Sequence, residues 1–256
     1  MYRESKVSGR RGERLIFVGG SPRSGTTLVQ NMLDCHSDIY GGPEFDRIPM
    51  IVEVRKTLLS AVAAGRIDTF CTKEDIDKAI ASLIERLLPP VADRNRCGYL
   101  SEKTPSNVFV FKELLEILPA ARFIHVVRDP RAIVASLLMV GMRAKRKGIQ
   151  PVPISVDIHS AIHAVKTGTQ VGFYAAHQAP DRVHTIVYER IVTDPTVESQ
   201  SLCSFLGVSW TEGMLHPAGK KHSGEKVLDD VWYDRRTYYR DPVPTEIDKW
   251  KRILTP

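Results

Sequence analysis

The chain has 256 residues, 43% of them hydrophobic and 26% charged, with a net charge of +6 at pH 7. That length and balance fit one α/β domain over residues 1–256 with a sizeable core. The basic excess suits a polyanionic partner, but its arginines and lysines are dispersed, with Arg143 to Lys147 as the main cluster, which argues against nucleic acid. No apolar run is long enough to span a membrane, and Met1 to Arg14 is polar and basic, so the expectation is a cytoplasmic protein without a membrane partner.

In chain order, residues 1–13 read as a flexible N-terminal extension. Leu15-Ile16-Phe17-Val18 reads as a strand, Gly19 to Gly25 as a tight glycine loop, and Val29, Met32 and Leu33 as the apolar face of the following helix. Such a loop points backbone N–H groups at one spot, and the helix dipole adds positive character there. The guest it suits is a phosphate or sulfate, held by Pro22, Arg23, Ser24, Gly25, Thr26 and Thr27. A Walker A loop would place lysine where this chain has Thr26, which argues against a nucleoside triphosphate and leaves a nucleotide with a short 5′ anionic chain. A glycine turn without a ligand is the bland alternative.

Gly41 to Pro49 follows as a loop carrying Glu44, able to fold back over the phosphate site, and Asp46 to Gly65 reads mostly as helix. Thr72 with Asp75 makes a capping box for a helix whose apolar face is Ile76, Ala79, Ile80, Leu83, Ile84 and Leu87, ending at Pro89-Pro90. These helices are expected to cover the sheet and wall an acceptor site. A short strand near Tyr99 ends at Lys103. Ala121 to Val127 reads as a buried parallel strand, and Arg128-Asp129-Pro130-Arg131 opens a helix with Asp129 as cap and Pro130 in the first turn. Arg128, at the strand's carboxyl end, and Ser136, two turns on, could hold a second phosphate, or Arg128 could pair with a surface carboxylate and Ser136 face solvent. A helix over about Ser155 to His177, a strand over Val183 to Ile186 and a helix over Pro195 to Leu206 follow. The fold class is α/β, a P-loop-like three-layer arrangement with four recognisable parallel strands and room for a fifth.

Taken together, the P-R-S-G-T-T loop and the R-D-P-R-x-x-x-x-S segment resemble the sulfotransferases that use 3′-phosphoadenylyl sulfate (PAPS), and the resemblance runs from about Leu15 to Trp250. Met32-Leu33-Asp34-Cys35-His36 after the loop makes it closest to the tyrosylprotein sulfotransferases. The resemblance implies PAPS as donor, adenosine 3′,5′-bisphosphate (PAP) as product, the 5′-phosphosulfate in the first loop and the 3′-phosphate at Arg128 and Ser136. It implies Glu44 as the base that removes the acceptor proton and Lys103 as the cation on the bridging oxygen, with Arg23 serving both the 5′-phosphate and the sulfuryl group. Ser223 could match a serine on the bridging oxygen, and Lys249 a lysine closing over the donor phosphates. Tyr188 matches a family tyrosine near the 3′-phosphate, or is a plain core tyrosine at a strand end.

No metal is expected, since His159 and His163 form the only helical histidine pair and lack a neighbouring ligand. The four cysteines show no pairing pattern, and the disulfide of the Golgi relatives is missing because Gly41 and Ser101 stand at its positions. Those relatives carry Thr-Arg after the base. Here Phe45 and Asp46 follow, with Arg47 one step later, so a peptide tyrosine does not transfer directly. A phenolic or tyrosyl hydroxyl is the favoured acceptor, with a sugar, lipid or natural-product hydroxyl as alternatives. A P-loop kinase and an inactive nucleotide-binding protein are the rival readings. Oligomeric state is left open, a homodimer among the options.

Overall fold

Six consecutive buried residues, Leu15–Gly20, form β1, the middle strand of a five-stranded parallel sheet ordered β2-β3-β1-β4-β5 in the computed structural model, which describes residues 10–220, 231–232, 239–244 and 247–254. The other strands are β2 (Ile39–Gly41), β3 (Tyr99–Lys103), β4 (Arg122–Val127) and β5 (Val183–Val187). In register, Phe17 lies beside Glu102 on one side and Phe123 on the other, and Phe123 beside Val183. A continuous apolar run suits β1 because helices cover both faces of the sheet.

Each face has its own core. Phe17 and Phe123 stack with centroids 5.5 Å apart, Phe111 meets Phe123 edge-on, and this side packs under α2 (Ile48–Ala63), α3 (Lys73–Leu87), α5 (Phe111–Ile117) and α7 (Ile158–Gln178). Ile16, Val18, Ile124 and Ile186 face the other way, against α1 (Thr26–Asp34), α8 (Tyr188–Thr193) and α9 (Pro195–Leu206). The remaining helices are α4 (Pro89–Arg94) and α6 (Pro130–Arg146). Helix starts follow the sequence signals. Thr72 and Asp75 form the capping box of α3, and the Asp129 carboxylate accepts from Arg131 N at 2.9 Å at the start of α6.

The structure departs from the sequence-based expectations in two places. Residues 10–13 are not part of a loose extension: Gly12 N donates to Glu85 Oε1 at 2.8 Å, and Ala120 N donates to the Arg11 carbonyl. The buried stripe of α3 is narrower than its apolar sequence face, since Ile76, Ile80 and Ile84 are buried while Leu83 and Leu87 are exposed at its margin. α3 ends at Leu87, ahead of Pro89-Pro90 as its sequence suggests, and those prolines open the first turn of a separate helix, α4.

One buried group constrains the interior sharply. His125 on β4 is fully buried, neither ring nitrogen has a hydrogen-bond partner among the described residues, and burial pushes its pKa down to about 4. An unfolded histidine takes up its proton near pH 6.5, so acid between there and about pH 4 favours the unfolded state and stability rises with pH across that window. The ring leaves no space at α7, where a Cβ on Gly172 would lie 2.2 Å from His125 Nε2. We expect Gly172→Ala to cost about 1–3 kcal/mol, read as a fall of several degrees in Tm. Gly219→Ala, with no described residue within 4 Å of the added carbon, is the control that should leave Tm unchanged.

Candidate active site

All five strands run parallel, so their carboxyl ends share one edge, and each end delivers a residue expected at the site. β1 leads into the loop at Ser21 to Gly25, β2 into Glu44, and β3 ends on Lys103 itself. β4 is followed by Arg128 and β5 by Tyr188. That edge of an open α/β sheet is where ligands bind.

The loop has the backbone an anion cradle needs. Arg23 has φ 76° and Gly25 φ 104°, both left-handed, and α1 begins at Thr26. The leading N–H groups of α1 have no partner within the helix. Ser24 is fully buried, and its hydroxyl oxygen has no hydrogen-bond partner among the described residues. A buried hydroxyl left in that state beside a helix N-terminus fits an oxyanion. Gly20 and Gly25 are required by close approach: a Cβ would lie 2.4 Å from the Val126 carbonyl oxygen at Gly20 and 2.4 Å from Tyr188 Cδ2 at Gly25. Pro22 sits inside this turn, and Thr26 and Thr27 form the first turn of α1.

The two expected anion sites adjoin. The sequence assigns Arg23 to the 5′ end, yet its guanidinium donates from Nε to Ser136 Oγ at 2.9 Å and from Nη1 to the Trp232 carbonyl at 2.8 Å. The left-handed backbone at Arg23 turns the side chain toward α6. Arg128 lies over the Tyr188 ring, 4.2 Å from its centroid, and donates to the Arg23 carbonyl at 3.3 Å. Tyr188 is buried as a core residue, carries the Arg128 guanidinium on its ring, and its hydroxyl accepts from Arg240 at 2.7 Å. Lys249 opens a 3-10 turn over Lys249–Arg252, held near the start of α6 by Arg131 stacked 4.1 Å from the Trp250 centroid. Ser223 lies outside the described residues.

Glu44 and Lys103, 59 residues apart, meet in an ion pair between Lys103 Nζ and Glu44 Oε1. Lys103 is 2% exposed, and its ammonium also lies 3.5 Å from Thr27 Oγ1 on the phosphate loop. The carboxylate is therefore joined to the anion cradle through one buried cation. At the rim, Arg47 Nη1 donates to the Asp46 carboxylate at 2.8 Å and to the Asp46 carbonyl at 2.7 Å, so the two charges cancel locally. Among the described residues, no group of histidine, cysteine, aspartate and glutamate could hold a metal, and no helix is long and apolar enough to cross a membrane.

Several residues here escape sequence reasoning. Glu102 is buried beside Lys103, and desolvation pushes its carboxyl above the ordinary range, against hydrogen bonds from Thr104, Asn107 and Phe45 N. Gln30 and Asp34 of α1 bond the segment after β2: Gln30 Nε2 reaches the Gly42 carbonyl at 3.2 Å, and Gly41 N reaches Asp34 Oδ1 at 2.9 Å. The only available signal was polar residues at positions that helix and strand periodicity would bury. Gly41 and Ser101 stand directly opposite in register on β2 and β3, and all four cysteines are free.

Comparison with known proteins gives one answer. The family model described as "Sulfotransferase family" matches residues 15–212. The chain is 30% identical over 256 residues to protein-tyrosine sulfotransferase 1 of Danio rerio, covering 94% of this chain and 70% of that protein. It is 29% identical over 204 residues to protein-tyrosine sulfotransferase of Drosophila melanogaster, covering 79% of this chain but 40% of that one. The sulfotransferase domain of the Synechococcus PCC 7002 olefin synthase shares the fold, with a TM-score of 0.64, 24% identity, and 98% and 92% of the two chains aligned.

Proposed function

The chain belongs to the sulfotransferase family, and we propose that it transfers the sulfuryl group of PAPS to an acceptor hydroxyl, phenolic or tyrosyl by preference, with Glu44 as base. The observation that carries this reading is the Glu44–Lys103 pair set against Thr27 of the phosphate loop. Sulfuryl transfer requires both members. The acceptor oxygen attacks sulfur while its proton passes to the Glu44 carboxylate, and the bond from sulfur to the bridging oxygen breaks. Lys103 offsets the charge that collects on that oxygen as PAP leaves. Within this reading the loop from Ser24 to Thr27 holds the 5′ end of the donor, and Arg128 with Ser136 the 3′-phosphate. The chemistry of the donor set fits, because helix N–H groups, the buried Ser24 hydroxyl and the Arg23 and Arg128 guanidinium groups suit a ligand anionic at both ends.

A tyrosyl acceptor is supported by the similarity to protein-tyrosine sulfotransferases. The closed Asp46–Arg47 pair favours acceptors without an acidic flank, since it leaves the rim no net charge to attract one. The test is incubation with radiolabelled PAPS and a panel of tyrosine peptides with neutral and acidic flanks, simple phenols, sugars and lipid alcohols. Label on a phenolic oxygen with equimolar PAP, best with neutral flanks, is the expected outcome. PAPS left intact with every acceptor, or phosphoryl transfer from ATP in its place, would overturn it.

A further inference from the structure

The segment that carries Glu44 is irregular backbone, yet it is bonded at nearly every residue to groups that take no part in the chemistry. Phe45 N donates to Glu102 Oε1 at 3.1 Å, and Asp46 N donates to Thr104 Oγ1 at 3.2 Å. Thr104 Oγ1 in turn donates to Glu102 Oε1 at 2.6 Å, and Asn107 Nδ2 donates to Glu102 Oε2. Asp46 has φ 54°, a left-handed conformation that a non-glycine residue keeps only where its surroundings enforce it. Glu102, Thr104 and Asn107 are all buried, so the acceptors and the bonds among them are shielded from competing water.

We propose that Glu102, relayed by Thr104, is the positioning residue for the base: its buried carboxylate holds the Phe45 and Asp46 amides and thereby fixes Glu44 against Lys103. Strand alternation explains the division of labour. Lys103 and Glu102 are neighbours on β3, so one points to the ion pair while the other points to the opposite side, under the Glu44 loop. Gln30 Nε2 on the Gly42 carbonyl and Asp34 Oδ1 on Gly41 N tie the front of the same segment to α1. The clamp therefore couples the base to the helix that opens the anion cradle. Opposite Gly41 stands Ser101, whose hydroxyl donates to Gln30 Oε1 at 2.6 Å, so Gln30 of α1 bridges β3 to the segment after β2.

The inference rests on Glu44 being the base, and its test reads the clamp separately from the chemistry. Amide exchange at Phe45 and Asp46 is measured together with kcat and donor KM. Glu102→Ala removes the acceptor of Phe45 N and the group that orients the Thr104 hydroxyl on which Asp46 N rests. It should speed exchange at those two amides and lower kcat by about 10–100-fold while donor KM stays within about twofold. Glu102→Gln keeps an oxygen for Phe45 N and should restore kcat to within about threefold of wild type. Should Glu102→Ala fail to fold, Thr104→Val, close in volume, gives the same reading, with faster exchange at Asp46 and kcat lowered by about 3–10-fold. Unchanged exchange at Phe45 and Asp46 in these variants overturns the clamp. Glu102→Gln as damaging as Glu102→Ala overturns it too, by making charge rather than hydrogen bonding the operative property. A wild-type level of activity in Glu44→Gln would strike the base assignment instead and leave the exchange result standing.

Discussion

Glu44→Gln is expected to lower kcat by about 10²–10⁴-fold, equivalent to roughly 3–5 kcal/mol of lost transition-state stabilisation. Gln keeps an oxygen within reach of Lys103 but cannot take the acceptor's proton. Its effect on the donor should differ in sign. Lys103 is buried, and in the wild-type protein its charge is balanced by Glu44. Removing that negative charge makes the potential beside the phosphate loop more positive, so PAP should bind equally well or more tightly. Turnover falling while product affinity holds or rises is a pattern that general damage to the fold does not produce. Single-turnover kinetics with calorimetric titration of PAP would read both halves. Unaltered turnover would remove Glu44 as the base.

The second large effect is expected at Gly25. Its φ of 104° is one that an L side chain adopts only with strain, and a Cβ there would lie 2.4 Å from Tyr188 Cδ2. The Tyr188 ring is buried and supports the Arg128 guanidinium on its face. Gly25→Ala should thus disturb the first turn of α1 and displace the Arg128 platform together. PAP affinity should fall by more than about 100-fold, well beyond what a stability loss of about 1–3 kcal/mol implies when binding is measured far below Tm. Affinity within about twofold of wild type would mean that the loop and the Tyr188–Arg128 stack do not jointly hold the nucleotide.

The parts of this site legible in the sequence are those whose geometry is local. A strand, a glycine loop and a helix start leave a contiguous trace, so the anion cradle at Ser24 to Thr27 is readable directly. The Asp129–Pro130 cap and the Thr72–Asp75 box are readable because capping depends on residues a few positions apart. β2 is three residues long, too short for strand alternation to register, although it is what aims Glu44 at the site. The Glu44–Lys103 pair spans 59 residues, and nothing in spacing predicts a contact made only by strand order. The direction of Arg23 depends on its left-handed backbone, which a residue type other than glycine does not advertise. Glu102 escapes for a similar reason. A charged residue beside a lysine reads as solvated until the fold shows it buried and bonded to Thr104, Asn107 and Phe45.

The arrangement shares labour across one sheet edge. In the proposed reading β1 and β4 lead to the groups that hold the donor's anions, β2 and β3 to the Glu44–Lys103 pair, and β5 to the Tyr188 ring that packs against Gly25 and Arg128. Parallel strands place these groups at one level without long insertions, and the central position of β1 puts the cradle between the base side and the 3′ side. The contact from Arg23 to Ser136 links the phosphate loop to α6, which in the proposed reading suits one ligand carrying charge at both ends.

A crystal structure with PAP bound tests the central claim most directly. The account predicts the 5′-phosphate on the backbone N–H groups of Ser24 to Thr27, the 3′-phosphate between Arg128 and Ser136, and the 5′ end facing Lys103 and Glu44. A nucleotide bound elsewhere, or bound in the loop with its 3′-phosphate turned away from Arg128 and Ser136, would contradict it.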